Sequence, residues 1–399
     1  MPDNANHGSV NQQSRPFLSL CMIVKNEGQN LARCLASAEP YVDEIVVVDT
    51  GSQDDTLEIA AQFGARLDYF EWCDDFAAAR NYSLSRVTGE WILHLDADEE
   101  LIVEDSDFRQ QLLSQPEVLA FAVTRNDVNV PEEAFLGGFH VRLFRNLPGF
   151  QYVNRYHEQL KYEGDRADAP PLVYNYLQGA RILHYGNSDE EALRQKTLTR
   201  DIPILEAIRQ QEGLSFWLLD CLARNYIRTD QLDKAQECYE EAFDRLLPCL
   251  MSGEKPEGFY WVPTLMHFMA TQALDRNDFE TARMLCQRGL EWCPDHLPLN
   301  YLAGHMLLEL GFPLGAVAYF EKCLNLAQTT SFYSSEPFER TLLNLDPANG
   351  LGLAYLQMNQ PEAAIAAFEL ALSFDPNCAI AQQHLENLKQ APKYESQCS

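Results

Sequence analysis

The stretch that decides the fold is Trp91 to Glu100, WILHLDADEE. A short apolar run leads directly into Asp96 and Asp98, which are one alanine apart and are followed by two glutamates. Neighbouring carboxylates repel each other unless a cation lies between them. Since alternate residues of a strand point to the same side, Asp96 and Asp98 can face one point in space. A hard divalent cation, which prefers carboxylate oxygens, fits that point; the alternative is a solvated acidic turn.

Short apolar runs alternate with helical patterns from Leu18 to about Tyr185. A strand over LSLCMIV, a helix over LARCLASAEPYV and a buried strand over EIVVVDT open the series. Strands separated by helices of this length predict right-handed crossovers and a mostly parallel sheet with both faces covered. Ligands bind such sheets at the carboxyl ends of the strands. The polar residues at those ends are Lys25, Asn26, Glu27, Asp49, Gly51, Ser52, Asp96 and Asp98.

The second half of the chain contains an internal repeat. Ala235, Ala282, Ala316 and Ala364 occupy the same place in a helix–turn–helix pattern, with a glycine or alanine twelve residues before each of them. The step from Ala282 to Ala316 is 34 residues, and the steps on either side are longer, which indicates insertions. This spacing resembles that of tetratricopeptide repeats, which stack into a superhelix. An unrelated helical bundle is the alternative.

Charge and composition exclude several function classes. The 399 residues carry 30 Lys+Arg against 59 Asp+Glu, a net charge of −29, and so acidic a surface repels nucleic acid and anionic lipid. No apolar run approaches the roughly 18 residues of a membrane span, and we see no signal peptide. The 11 cysteines are scattered, as is typical of reduced thiols, so we expect a cytoplasmic protein with no integral membrane segment.

These patterns divide the chain into four parts. We expect disordered tails at 1–16 and 392–399, because both ends are polar. Between them we expect an α/β domain at 17–200 and a repeat domain of about four repeats at 214–391.

Four motifs in one order resemble glycosyltransferase family 2: LSLCMIVKNEGQNLARCL, DEIVVVDTGSQDDT, DFAAARNYSL and GEWILHLDADEEL. The resemblance covers about Leu18 to Arg200. It extends to the bacterial branch of lipopolysaccharide-core glucosyltransferases and of peptide glycosyltransferases that carry C-terminal repeats. It implies the GT-A fold, a Rossmann-like α/β domain, and an inverting transfer from a nucleotide-sugar donor, with UDP-sugar favoured.

The resemblance also implies which residues bind the donor. The segments that hold the nucleoside in this family correspond here to Val24, Lys25, Asn26 and Glu27, together with Asp49 and Gly51. Arg80 stands where the family places an arginine near the diphosphate or base; an exposed helix arginine is the alternative. Many members have two aspartates before Gly-Ser, whereas this chain has Asp49 and Thr50. That departure puts the contact with the base, and with it the choice of uridine, in doubt.

Asp96, Ala97 and Asp98 match the D-x-D motif of the family. By resemblance, Ala97 and Asp96 adjoin the donor, and Asp98 binds a Mn2+ or Mg2+ that bridges the two phosphates, with Asp96 on the ribose or the metal. His184 follows the last core strand, where many GT-A enzymes carry a histidine ligand, and imidazole suits Mn2+ better than Mg2+. A structural histidine is the alternative for His184.

An inverting transfer needs one base that takes a proton from the acceptor. Glu158, in YHEQ, stands where the fold carries its catalytic carboxylate, and Glu99, Glu100 and Asp127 are lesser candidates. The alternative for Glu158 is an ion pair with a nearby arginine. A Gly-Gly pair at 137–138 resembles the loop that lies against the donor.

Two main functions follow. The first is a metal-dependent glycosyltransferase whose repeats recruit a protein, peptide or glycan acceptor or a partner, or form a homodimer. The second is a repeat-based interaction scaffold with an inactive transferase-like domain. The retained set of Asp96, Asp98, Arg80 and Glu158 favours the enzyme. A nucleotidyltransferase ranks last, because the loop after the first strand has only one glycine and one lysine.

Overall fold

The computed structural model describes residues 15–104, 108–128, 135–136, 139–162, 174–186, 189–329, 332–333 and 338–390. The predicted tails lie outside these residues apart from Arg15 and Pro16. These two contact the loop before the central strand, because Arg15 Nε donates to the Thr88 carbonyl oxygen at 2.6 Å and the Pro16 carbonyl accepts from the Glu90 amide at 3.0 Å. The predicted donor loop at 137–138 is also outside the described residues.

The described chain contains strands and helices in the following order. The strands are β1 (Leu18–Val24), β2 (Glu44–Asp49), β3 (Arg66–Tyr69), β4 (Trp91–His94), β5 (Glu99–Val103), β6 (Ala120–Asp127), β7 (Phe135–Leu136), β8 (Phe139–Arg145), β9 (Phe150–Val153), β10 (Gln159–Tyr162), β11 (Asn175–His184) and β12 (Phe338–Glu339). The helices are α1 (Leu31–Ala38), α2 (Thr56–Gln62), α3 (Phe76–Leu84), α4 (Phe108–Ser114), α5 (Glu190–Lys196), α6 (Ile202–Gln211), α7 (Phe216–Arg228), α8 (Leu232–Ser252), α9 (Val262–Asp275), α10 (Phe279–Trp292), α11 (Leu297–Glu309), α12 (Pro313–Thr329), α13 (Leu345–Gln357), α14 (Pro361–Phe374) and α15 (Ala379–Gln390).

The chain forms two compact units. The first comprises Met1–Val130 and Phe139–Glu190, and the second comprises Pro131–Gly138 and Glu191–Ser399. The two units therefore divide after β11, between Glu190 and Glu191.

An eight-stranded sheet forms the centre of the first unit, in the order β3-β2-β1-β4-β8-β6-β11-β5. The pairs from β3 to β4 are parallel. Strand β8 is antiparallel to both β4 and β6, so β6 runs in the same direction as β4. Strand β11 is parallel to β6, and β5 is antiparallel to β11. Six strands thus run one way, and their carboxyl ends share one edge with the amino ends of β5 and β8.

Apolar side chains cover both faces of this sheet. On one face, Leu31 and Leu35 of α1 and Phe108 of α4 join Leu20 of β1 in a buried core. On the opposite face, Ala77 of α3 packs into a second core. Strands β1, β2 and β4 are buried on both faces, which explains their apolar sequences, whereas the edge strand β3 is largely exposed.

The second unit is a series of antiparallel helix pairs, α7 with α8, α9 with α10, α11 with α12 and α13 with α14, followed by α15. The four alanines of the sequence repeat are all buried. In the last two pairs the residue twelve positions earlier is a glycine that packs against an aromatic ring: a Cβ at Gly304 would lie 2.8 Å from Phe320 Cε1, and one at Gly352 would lie 2.4 Å from Phe368 Cε1. The two insertions correspond to a long α8 with the turn after it and to the segment between α12 and α13.

Candidate active site

The polar residues singled out in the sequence gather along one edge of the large sheet. Strands β1, β2, β4, β6 and β11 end there, and β5 and β8 begin there. Because this edge receives both the carboxyl ends of the forward strands and the amino ends of the reversed ones, residues far apart in sequence meet at it.

Two loops at this edge are joined by hydrogen bonds. After β1, the Asn26 amide donates to Ser52 Oγ at 2.9 Å, and the Glu27 amide donates to Thr56 Oγ1 at 2.8 Å. Lys25 and Asn26 are exposed, whereas Val24 is buried. The Asn26 side chain in turn accepts from the amide of residue 53 at 2.8 Å. The first loop is thereby held against the second.

Asp49 shapes the loop after β2. Its carboxylate is buried and accepts from the amides of Gly51 and Ser52, each at 3.1 Å. Gly51 has φ +111°, a conformation that L side chains rarely adopt. In the structure, Asp49 therefore fixes the turn, and the carboxylate predicted to touch the nucleoside is engaged with backbone.

Asp96 lies between two arginines. Its Oδ1 accepts from Arg80 Nη2 at 2.6 Å, and its Oδ2 accepts from Arg142 Nη2 at 2.9 Å. Burial alone would raise the pKa of Asp96, but the charges of Arg80 and Arg142 outweigh it and hold the pKa well below the usual value. Asp96 is therefore ionised, and both of its oxygens are engaged by side chains of the protein.

Arg80 connects Asp96 to Glu158. Its Nε donates to Glu158 Oε1 at 2.6 Å, and the guanidinium is only 7 % exposed. The resemblance implies a place for Arg80 near the diphosphate or base; in the structure its Nε and Nη2 bind carboxylates of the protein. Glu158 also shows the ion pair that was the alternative to its catalytic role, although its Oε2 has no hydrogen-bond partner among the residues that the structure describes.

The loop that presents Glu158 is conformationally unusual. Asn154 has φ 73° and His157 has φ 52°, and residues with side chains are uncommon in this region. The loop is anchored where the Phe76 amide donates to the Arg155 carbonyl oxygen at 3.0 Å. Such strain is concentrated at functional positions in proteins.

Asp98 points to a different partner from Asp96. Its Oδ2 lies 3.5 Å from His184 Nε2, and the Tyr185 amide donates to the Asp98 carbonyl oxygen at 2.9 Å. Strand β4 ends at His94, so the alternation that would direct Asp96 and Asp98 to one point does not extend to them. Ala97, between them, is buried.

His184 is oriented by Asp127. Its Nδ1 lies 2.5 Å from Asp127 Oδ1, and these two residues are register partners at the ends of β11 and β6. Burial opposes the protonated form of His184, but the hydrogen bonds to Asp127 and Asp98 outweigh it and raise the pKa of the imidazole. A carboxylate behind a histidine is the usual support of a metal-binding imidazole.

The space between Asp98 and His184 fits a divalent cation. A Cβ at Gly186 would lie 2.2 Å from Asp98 Oδ2 and 2.6 Å from His184 Nε2, so the glycine keeps this space open. Ligand distances of roughly 2.1 Å place neighbouring ligands about 3–3.5 Å apart, as these two atoms are. Among the described residues no group of three or more His, Cys, Asp or Glu side chains could hold a metal.

The lesser candidates for the base are occupied elsewhere. Glu99 is fully buried and bound to arginine, Glu100 accepts from Tyr185 Oη at 2.6 Å, and Asp127 holds His184. Of the arginines on β8, Arg142 is buried and Arg145 lies over the Trp91 ring.

Sequence reasoning missed three residues of this edge. His94 lies between Arg80 and Arg142, and burial together with these two charges lowers its pKa to about 3, so the ring is neutral. The Tyr152 hydroxyl lies 2.7 Å from His94 Nδ1, within hydrogen-bond distance. The third is Arg142 itself. The polar histidine at the end of a buried strand was the one signal in the sequence that could have identified His94.

The fold and the site define an α/β domain whose ligand-binding edge carries paired carboxylates, followed by stacked helix pairs. Residues 19–127 match the family model described as Glycosyl transferase family 2. Residues 222–245 and 348–378 match models described as Tetratricopeptide repeat. By these matches the chain carries a domain similar to glycosyltransferase family 2 and segments similar to tetratricopeptide repeats, and the predicted fold class, a GT-A-like α/β domain followed by an all-α repeat region, is confirmed.

Several known proteins are similar to this chain. A TPR repeat-containing protein of Synechococcus elongatus is 48 % identical over 205 residues, which are 51 % of this chain and 48 % of that protein. The SPbeta prophage-derived glycosyltransferase SunS of Bacillus subtilis is 28 % identical over 204 residues, 49 % of this chain and 46 % of that protein. The chain thus spans about half the length of these curated relatives.

Among solved structures, that of S. aureus TarS is 14 % identical, with 67 % of this chain and 54 % of that chain covered and a TM-score of 0.38. A score this low supports no argument about function. Within the described part of the chain, no helix has the length and apolar character needed to cross a membrane.

Proposed function

We propose that this protein is a metal-dependent inverting glycosyltransferase that moves a sugar from a nucleotide-sugar donor to a protein, peptide or glycan acceptor. The observation that carries the proposal is the meeting of Asp98 and His184 at 3.5 Å, with Asp127 behind the histidine. This pair lies at the same sheet edge as Glu158 and the joined loops after β1 and β2. The match to glycosyltransferase family 2 supports the same reaction class.

The donor is assigned to the edge formed by the loops after β1, β2 and β4. Lys25 and Asn26 are exposed there, and a lysine ammonium is a suitable partner for a phosphate. Val24, Glu27, Asp49 and Gly51 form the walls and turns that position these groups. We propose a UDP-sugar as the donor on the resemblance alone, since no residue contact on this edge identifies the base.

Asp98 and His184 would hold a Mn2+ or Mg2+ ion, with the nucleoside diphosphate supplying further oxygen ligands. When bound, such an ion offsets the negative charge that develops on the departing diphosphate. The nitrogen ligand favours Mn2+. Asp96 was expected as a second metal ligand or as a ribose contact. Arg80 and Arg142 already bind its two oxygens from within the protein, which argues against the metal role, so we propose the contact with the ribose.

Glu158 is proposed as the base. Its Oε1 is held by Arg80, which fixes the carboxylate, while Oε2 remains available to an acceptor hydroxyl. The acceptor oxygen forms a bond to the anomeric carbon as the bond from that carbon to the phosphate oxygen breaks. The hydroxyl proton goes to Glu158 and the bonding electrons leave with the nucleoside diphosphate, so the configuration at the anomeric carbon is inverted.

The repeat unit is proposed to recruit the acceptor or a protein partner. Tetratricopeptide stacks present concave surfaces that suit extended peptides, and the same surfaces can mediate homodimerisation instead. A cytoplasmic location and the absence of a nucleic-acid partner remain proposals from composition.

The test is release of nucleoside diphosphate from UDP-, GDP- and dTDP-sugars with Mn2+, Mg2+ or EDTA, without acceptor. We expect metal-dependent release from one donor, lost in Asp98→Asn. Asp278→Asn is the matched control, because Asp278 caps α10 and asparagine caps helices equally well. If the wild type shows no nucleoside diphosphate release and no nucleotide-induced rise in melting temperature, the proposal is refuted and an interaction scaffold is favoured.

A further inference from the structure

A row of alternating charges extends from the partly buried Glu158 into the sheet. Glu158 pairs with Arg80 and Arg80 with Asp96, as described above. Beyond Asp96 the row continues to Arg142 and then to Glu99, whose Oε1 accepts from Arg142 Nη2 at 2.5 Å. Glu99 is 0 % exposed and Arg142 is 9 % exposed, so these two residues are beyond the reach of a substrate.

Arg142 reaches this row through a β-bulge. The register between β6 and β8 pairs Phe121 with Leu143 and Ala122 with Val141, which leaves Arg142 without a partner in the ladder. A bulge bends the strand and redirects the side chain of the extra residue. Arg142 is thereby directed to the Asp96 carboxylate from inside the sheet.

Glu99 contacts Asp96 by two routes. Its Oε2 accepts from the Asp96 amide at 2.9 Å, which fixes the backbone. Its Oε1 binds the Arg142 nitrogen that also donates to Asp96 Oδ2, which fixes the side chain. With Arg80 on Oδ1, Asp96 is held at three points, and this is more than neutralisation of one carboxylate requires.

We propose that Arg142 is a positioning residue that orients Asp96 toward the donor, with Glu99 as its buried counter-charge. This inference rests on the proposed nucleotide-binding function. Groups that support a binding residue from behind commonly set its affinity, because a carboxylate misplaced by a fraction of an ångström loses its hydrogen bonds to the ligand. Neither Arg142 nor Glu99 need touch the donor.

A purely structural ion pair is the competing explanation, and it predicts different behaviour in a double variant. Removing Arg142 alone leaves the buried Glu99 with one arginine instead of two, Arg125, whose Nε lies 3.0 Å from Glu99 Oε1, and this loss destabilises the fold. Removing both charges relieves that cost, so stability should recover. A positioning role for Arg142 is not restored by removing Glu99, so nucleotide affinity should stay low.

The experiment compares Arg142→Met, Arg142→Lys, Glu99→Gln and the Arg142→Met/Glu99→Gln double variant in the full chain. Arg145→Met is the matched control, because Arg145 lies on the same strand, donates to the carbonyl oxygens of Val118 and Pro116 and has no carboxylate partner in the described chain. Melting temperature and the affinity for UDP, GDP and dTDP with Mn2+ are measured for each protein.

We expect Arg142→Met to weaken nucleotide binding at least tenfold and to lower the melting temperature. The double variant should regain at least half of the lost melting temperature with no gain in affinity, Arg142→Lys should recover part of the affinity, and Arg145→Met should bind as the wild type does. Affinity that recovers together with melting temperature, or an Arg142→Met variant that binds normally, would overturn the positioning role alone. A wild type that binds none of the three nucleotides would overturn the proposed function and this inference together.

Discussion

Replacing Gly186 with alanine tests the metal site without changing either proposed ligand. The added methyl carbon would lie 2.2 Å from Asp98 Oδ2 and 2.6 Å from His184 Nε2, well inside the contact distance of roughly 3.5 Å. Gly186 does not have a positive φ, so alanine introduces no backbone strain there. The carboxylate and the imidazole must move away from the space between them.

The size of the effect follows from these distances. Relieving both contacts requires displacements of about 1 Å, whereas metal-ligand distances are held within about 0.2 Å. Disturbing only the support of a metal ligand costs about 10–100-fold in affinity, so we expect Mn2+ affinity to fall by about 100-fold or more. Both displaced groups are ends of side chains, so the free energy of unfolding should fall by only about 1 kcal/mol.

The assay is a Mn2+ titration followed by the electron paramagnetic resonance signal of the free ion, with UDP present, beside a thermal melt. Gly315→Ala is the control, because its Cβ would lie 3.1 Å from Leu307 Cδ1, the movable end of a side chain far from the site in sequence. Unchanged Mn2+ affinity in Gly186→Ala, with a normal melt, would show that the ion does not bind between Asp98 and His184.

Three further predictions concern the base, the repeats and acid stability. Glu158→Gln should lower transfer by about 10²–10⁴-fold while nucleotide affinity changes little; equal loss of binding and turnover would argue against a base. Gly352→Ala, whose Cβ meets the Phe368 ring, should destabilise the repeats by about 1–3 kcal/mol, measured by denaturant unfolding against Gly315→Ala. Burial, with the nearby His267, lowers the pKa of His296 to about 3, against about 6.5 when unfolded. The unfolded chain therefore binds the proton first as the pH falls below about 6.5, and unfolding free energy should drop by up to about 1.4 kcal/mol per pH unit. The His296→Asn variant, which can still cap α11, should show a smaller decrease of the unfolding free energy with falling pH. An unchanged pH dependence would argue against the contribution of His296.

The strands, helices and repeats that follow from local periodicity could be predicted from the sequence. The alternation of apolar runs and helices yields β1 to β4 and α1 to α3, because each strand and helix is read from consecutive residues. The repeat spacing likewise locates the helix pairs, since a small residue and a larger one recur at fixed distances from the repeat alanine, as Gly352 and Phe368 do around Ala364. The D-x-D pair was recognisable because both aspartates immediately follow a buried strand.

The rest of the site depends on contacts that local patterns do not contain. Asp127 meets His184 across a separation of 57 residues, and this pairing requires knowing that β6 and β11 are neighbours. Arg142 enters the site because β8 runs backwards and contains a bulge. Neither the reversed direction of β8 nor its bulge has a signature in a single sequence, so Arg142 could not be assigned to the site from the sequence.

The two aspartates of the motif have different electrostatic surroundings, and this difference bears on how the site works. Asp96 is neutralised by guanidinium groups of the protein itself, so its position is fixed by the fold. Asp98 faces an imidazole supported by Asp127, a combination that suits a cation shared with the substrate. A binding site gains affinity from groups that need no reorganisation when ligand arrives. In the proposed function this division would give the donor one rigid anchor in Asp96 and leave the charge of the diphosphate to Asp98 and His184, which would account for adjacent carboxylates at the end of a buried strand.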